Sequence, residues 1–276
     1  MMEFQFATLE NVKTSDLIAV FNATFADYFV NVELDERGLA IKSQTENTDL
    51  SKSVGAFLDG KLVGFILLGI ENGIAFNGGT GVLPDARGNA LTVKMYDFMM
   101  PKLKTESIYF HQLEVITKNL PAIKTYKKIG FRRVRTLACF KGKINATKIN
   151  RDIEIKFLNR IDTEIFPTFW NAQPSRQNSL SALQRTQNLY KYVGAFYQSN
   201  LVGYIIYGKK GSIKQFAVKK DFRHLGIGQT LFAFVQNELE NKESIITNID
   251  KNDFETILFL EQIGLNLFIE QFEMKK

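Results

Sequence analysis

Several things are scarce in this 276-residue chain. It has one cysteine, Cys139, so no intramolecular disulfide can form, which suits a reducing compartment. Five prolines and no single-residue tract argue against a disordered or low-complexity chain. Two histidines, His111 and His224, and that one cysteine cannot supply a clustered metal-binding set, so no metal site is expected. No uncharged apolar run reaches the length of a membrane span. The start, MMEFQFATLE, lacks the basic-then-apolar pattern of a secretion signal, and the expected location is the cytoplasm. Acidic residues are outnumbered, giving a net charge of +6, but the basic residues are scattered in short doublets. That favours anionic small ligands over the dense stripe of a nucleic-acid protein, and neither nucleic acid nor membrane is expected as a partner.

What the chain does contain is a repeat. Val54-Gly55-Ala56-Phe57 and Leu62-Val63-Gly64 recur as Val193-Gly194-Ala195-Phe196 and Leu201-Val202-Gly203. Val82 with Arg87 is matched by Val218 with Arg223, and Ile129-Gly130 by Ile263-Gly264. The offsets are 139 (193 − 54), 136 (218 − 82) and 134 (263 − 129), a slow drift that small deletions explain. Two tandem domains follow, 1–145 and 151–276, joined by the polar seam KGKINATKINRD. Periodicity predicts the first copy's elements. These are helices 15–28 (Ser15 as N-cap) and 34–44; strands 53–58, 61–68 and 73–82; helix 91–102; strand 107–116; helix 121–129; and strand 134–141. The second copy reads as helices 162–170 and 178–187, the repeated hairpin, strand 213–219, helix 229–240, strand 244–249, helix 253–262 and strand 265–273. The fold class is α/β (α+β), a mixed sheet covered by helices in each copy.

The most informative segment is Val218 to Gly228, where a strand ends in Arg223-His224-Leu225-Gly226-Ile227-Gly228 and a helix begins. Glycines allow a tight turn that collects backbone N–H groups, and the helix N-terminus adds more, which makes a diphosphate cradle. The first copy keeps the frame as Val82-Leu83, then Arg87-Gly88-Asn89-Ala90-Leu91-Thr92, with Ala90 and Thr92 replacing two glycines. Ala90 is expected at a right-handed position, where it does no harm. A dinucleotide fingerprint fails because Leu231 stands where its third small residue belongs. A Walker loop at Gly203 to Lys210 lacks the metal-binding hydroxyl.

This cradle, followed in the first copy by Leu113-Glu114-Val115, Asn119, Ala122, Tyr126, Gly130 and Phe131, resembles the two signatures of the GNAT acyltransferase superfamily. The segment Phe25 to Phe29 is also similar to tandem members of that family. The resemblance implies a tandem of two acyl-CoA N-acyltransferase domains acting from acetyl-CoA by direct attack of an amine on the thioester. Val82 and Leu83, with Val218 in the second copy, would bond the pantetheine arm. Arg87 to Thr92, and Arg223 to Gly228, would hold the pyrophosphate, and Asn119 would contact the cofactor. Tyr126 would protonate the departing thiolate. Glu114 is the candidate base, and Asp27 and Tyr28 are candidates for the acceptor pocket. In the second copy Leu260 stands in the place of Tyr126 and Asp253 in that of Asn119. The first copy is therefore the expected catalytic one. The acceptor would be an amine of a small molecule or a protein, and a homodimer is expected. The alternative is a non-catalytic acyl-CoA-binding or regulatory tandem.

Overall fold

The computed structural model describes residues 3–30, 32–239 and 243–276. They form two compact units, one of residues 1–134 with 272–276 and one of residues 135–271.

The first unit begins with β1 (Phe4–Thr8), α1 (Thr14–Phe25) and α2 (Glu36–Glu46). Three antiparallel strands follow, β2 (Val54–Leu58), β3 (Lys61–Glu71) and β4 (Ile74–Val82). Then come α3 (Leu91–Thr105), β5 (Phe110–Ile116), α4 (Leu120–Ile129) and the start of β6 (Arg132–Lys143). β5 runs parallel to β4. Alternation along the strands sorts their side chains onto two faces. Ile66 and Leu68 join Leu91, Met95, Leu113 and Ile123 under α3 and α4. Phe65 and Leu67 join Leu17, Phe21 and Leu39 under α1 and α2.

The second unit takes up the rest of β6. It adds β7 (Glu154–Phe157), α5 (Leu180–Arg185), β8 (Lys191–Tyr197), β9 (Asn200–Tyr207) and β10 (Ser212–Val218). It continues with α6 (Ile227–Glu238), β11 (Glu243–Asp250), α7 (Phe254–Gln262) and β12 (Asn266–Lys275). Its strands follow the order β6-β11-β10-β9-β8-β7. One core lies under α6 and α7 and a second beneath Phe166 and Phe169.

The two repeats exchange their last strands. β6 follows α4 in sequence, yet from Leu137 to Lys143 it pairs with β11 of the second unit. The last residues of β12 belong to the first unit, where His111 and Lys276 exchange two backbone hydrogen bonds of 2.9 Å beside β5. The compact units therefore trade segments that the sequence repeat assigns to the other copy.

Local differences from the periodicity have local causes. The stretch 162–170 is not an α-helix but a 3₁₀ turn, Phe166–Phe169. Pro167 offers no amide to a longer helix, and Phe166 stacks 3.8 Å from the Tyr204 ring. Residues 178–187 shorten to α5, capped by Ser179. The second predicted helix of the first copy is shifted to Glu36–Glu46, because Asp35 caps it by accepting from Gly38 N. Ser15 is not the N-cap of α1, which starts at Thr14 after Lys13. β1 and β7 are additional strands. Glu240, the predicted end of α6, lies outside the described residues.

Candidate active site

The site in each unit grows from a fork between two parallel strands. β4 and β5 pair from Ile74–Phe110 to Asn77–Leu113 and then part, although β4 runs on to Val82. β10 and β11 pair at Ser212–Ile245 and Ile213–Ile246 and then part, although β10 runs on to Val218. Leu83 N donates to Val63 O, and Lys219 N to Val202 O. Strand alternation therefore turns the amides of Val82 and Val218 the other way, onto the open fork.

The turn at the mouth of each fork has one geometry built from two sequences. Gly88 (φ 82°) matches His224 (φ 61°), and Ala90 (φ 55°) matches Gly226 (φ 77°). Each loop thus enters the left-handed region twice and keeps a glycine at only one of the two positions. Ala90 is not right-handed as the sequence suggested; it is the left-handed N-cap of α3, as Gly226 is of α6. The turn demands that conformation before its helix, and Ala bears a steric cost there. The first helical bonds run from Lys94 N to Ala90 O and from Thr230 N to Gly226 O, so the amides of Leu91, Thr92, Ile227 and Gly228 have no place in the ladder. Gly228 is not left-handed; a Cβ there would meet the Phe259 ring at 3.0 Å.

Arg87 and Arg223 share a role that the motif hides. Arg87 Nε donates to Val82 O and Arg223 Nε to Val218 O, both at 3.1 Å. Arg223 also reaches Phe169 O at 3.0 Å and Glu255 at 3.2 Å. Each guanidinium ties the turn back to the strand it leaves, so the backbone N–H groups are what the loop presents.

The forks differ most in what lines them. In the first unit Asn77 Nδ2 donates to Thr80 Oγ1 at 2.7 Å and to the Tyr96 hydroxyl at 2.8 Å. Tyr126 is buried beside them. Burial pushes its phenol up to about 12, partly offset by hydrogen bonding to Thr80 and Asn77, and the neighbouring Tyr28 adds to the rise. Asn119 caps α4 by accepting from Ala122 N, and its side chain also bonds Tyr28, whose phenol burial raises. Asp27 is exposed at the same loop. Glu114 lies one residue beyond the last β4–β5 pair. Its neighbours Leu113 and Val115 face α3 and α4, so Glu114 faces the side of α1 and α2.

The equivalent positions in the second unit, fixed by the shared register of Gly64–Val82 and Gly203–Val218, have lost that polarity. Asn77 becomes Ile213, Thr80 becomes Phe216, Tyr96 becomes Phe232 and Tyr126 becomes Leu260. Phe216 packs edge-on against Phe232 at 4.9 Å. Asp253 keeps the backbone role of Asn119, capping α7 through Thr256 N, with φ and ψ within a few degrees. This unit holds a cavity of about 560 Å³ that extends from the loop at Arg223 and Gly226 along β10 past Val218 to Lys214.

Sequence reasoning missed Asn77, Thr80 and Tyr96, and also the Lys42–Glu46 pair. Glu46 is buried, bonds Lys42 at 2.6 Å, and fills the space over Gly78 where a Cβ would stand 1.9 Å from its carboxylate. The only hint was a run of small residues, Asn77 to Gly81, inside an apolar strand.

An open fork with outward amides, a left-handed turn and unladdered helix amides fits a long ligand carrying a diphosphate at one end, as acyl-CoA does. Two family models agree with this geometry. Residues 17–131 match the Acetyltransferase (GNAT) family and residues 160–256 an Acetyltransferase (GNAT) domain. A GCN5-related N-acetyltransferase from Sphaerobacter thermophilus has a similar fold, with a TM-score of 0.74, 16% identity, and coverage of 99% of this chain and 95% of that one. A tandem GNAT protein from the clavulanic acid biosynthesis pathway superposes with a TM-score of 0.72 at 11% identity, covering 99% and 98%. A GCN5-related N-acetyltransferase from Anabaena variabilis gives 0.63 at 12% identity, covering 99% and 72%. No curated protein matches the chain in sequence. With both halves matched and the fork, turn and helix cap repeated in each, the chain belongs to the GNAT acetyltransferase family and is built as a tandem of two GNAT domains.

Proposed function

We propose that the protein transfers the acetyl group of acetyl-CoA to a primary amine of a small molecule or a protein, and that the first unit performs the chemistry. The observation that carries this reading is the Tyr126 hydroxyl, buried in the open fork and held among Asn77, Thr80 and Tyr28. When bound, acetyl-CoA supplies the activated acyl group. Val82, Leu83 and the amides of Arg87 to Thr92 would hold its pantetheine and diphosphate, with Asn119 beside the arm. With its phenol raised to about 12, Tyr126 stays protonated at neutral pH and serves as a hydrogen-bond donor to a departing thiolate rather than as a base.

The acceptor amine must be neutral to attack, and only about one in a thousand such amines is neutral at pH 7. Glu114 is assigned as the group that takes the proton. Its carboxylate faces the α1 and α2 side, opposite the face from which Tyr126 arises, so the base would reach the amine nitrogen and the acid the departing sulfur from opposite faces of the sheet. Asp27 and Tyr28 would border the amine's entry. The single cysteine is buried and has no second cysteine with which to form a disulfide, which supports a cytoplasmic setting. Among the described residues, no helix is long and apolar enough to cross a membrane.

The test is thiol release from acetyl-CoA across a panel of amines, for wild type and Tyr126→Phe. We expect kcat to fall about 100-fold with little change in KM for acetyl-CoA. Equal rates would remove Tyr126 from the mechanism.

A second reading is favoured for the second unit by its four apolar replacements. It would bind acyl-CoA without turning it over, as a regulatory partner. Tight acyl-CoA binding with no turnover of any amine by the whole chain would extend that reading to both units.

A further inference from the structure

The second unit keeps a large cavity and a formed loop, with Leu260 where the first has Tyr126. The acidic side chains that line the cavity are already engaged. Asp250 pairs with Arg135 at 3.3 Å, Glu255 with Arg223 at 3.2 Å, and Asp253 caps α7. Lys214 is placed differently. It is the extra residue of the β10 bulge between Ile213 and Gln215, at the position Gly78 holds in β4. Its Nζ lies 5.6 Å from the centre of the Tyr190 ring. Among the described residues no carboxylate is within ion-pair distance of it. Burial pulls its pKa below the ordinary lysine value, so the amine is more readily neutral than one in water.

Lys214 lies four residues before Val218, whose amide opens onto the fork, and that is roughly 13 Å of strand. An extended pantetheine arm has a comparable length. A CoA thioester anchored at the loop of Arg223 to Gly228 and lying along this cavity would bring its acyl end towards Lys214. Ser175 Oγ and Asn178 Oδ1 line the same cavity, fully buried and without a hydrogen-bond partner, and are free to receive a carbonyl or an amide N–H.

We propose that Lys214 is a self-acylation site, modified by acyl-CoA held in the second unit. This rests on the reading that the second loop holds acyl-CoA. The Nζ lone pair forms a bond to the acyl carbon and the C–S bond breaks. The electron pair leaves with the thiolate, and the proton lost from nitrogen goes to the sulfur. The products are an Nε-acyl-lysine and free CoA, so no oxidant, reductant or Tyr126 equivalent is required. The neutral amide removes the cost of burying an ammonium.

The test uses the full chain with acetyl-CoA, read by intact mass and peptide mapping, with acetyl-CoA binding measured by calorimetry. The expected result is a mass gain of one acetyl group located on Lys214. It should form at least about 10-fold faster than on any exposed lysine, saturate with acetyl-CoA, slow with added CoA and disappear in Lys214→Arg. Acetyl-CoA binding with Lys214 unmodified overturns the proposal, as does modification that spreads over exposed lysines without saturating. Tighter binding of a carboxylate-terminated acyl-CoA without any mass change also overturns it, in favour of simple ion pairing. No binding of acetyl-CoA overturns both this and the reading beneath it. Thiol release to an amine by the wild-type chain reports the first-unit reaction separately.

Discussion

On the proposed reading a few side chains decide which unit reacts, and their effects separate in stability and in rate. Tyr126→Phe removes a donor from the Asn77–Thr80 cluster, so alongside its loss of kcat we expect a stability loss of about 1–2 kcal/mol in denaturant titration. Ala90 occupies a left-handed conformation that its mirror position gives to Gly226. Ala90→Gly should therefore stabilise the protein by roughly 0.5–1 kcal/mol, visible as a rise in melting temperature without loss of acetyl-CoA affinity. His111 is buried, and that burial, with Lys276 and Lys104 nearby, lowers its pKa from 6.5 to about 4. The unfolded chain thus takes up a proton before the folded one does. The contribution of His111 is fully present above pH 6.5 and is lost as pH falls towards about 4, at a cost of about 3 kcal/mol. His111→Gln should flatten the acid limb of the stability curve, and an unchanged limb would dissociate His111 from it.

At the level of elements, fork, turn and helix behave as a cassette, and in the second unit the cassette persists without the polar side chains of the first. The backbone of α7 starts as that of α4 does, and both arginines clamp the same carbonyl. Restoring one side chain is therefore not enough. Leu260→Tyr would place a hydroxyl against Phe216 and Ile213, which offer it no partner. We expect it to cost about 1–3 kcal/mol and to restore no turnover when combined with Tyr126→Phe. A gain in thiol release from that double variant would refute the comparison. Much of this cassette was legible in the sequence. The hairpin repeat, the turn before each helix and the Asn119–Tyr126–Gly130 spacing are local patterns, and local patterns survive translation into one dimension. The left-handed state of Ala90 was not legible, because alanine is at home in a helix and the turn overrides that preference. Nor was Glu46 over Gly78, a contact between α2 and β4 that no spacing rule reports.

For the molecule as a whole, the exchange of β6 and β12 was equally hidden. An alternating strand announces which face is buried but not which neighbour it will bond. The two repeats were visible as sequence and yet are not the two compact units. Deleting residues 272–276 should destabilise the first unit, not the second. We expect early hydrogen exchange along β5 around His111 and lower thiol release, with the β8–β9 hairpin still protected. Protection lost only near β11 would contradict the assignment of these residues.

That exchange also sets an order of events during synthesis. A ribosome delivers residues 1–134 first, but the strand beside β5 follows only after residues 135–271. Until then the first unit carries a bare β5 flank, a surface open to wrong pairing. The first unit therefore cannot complete its sheet until residues 135–271 have been made, so its folding depends on the second repeat.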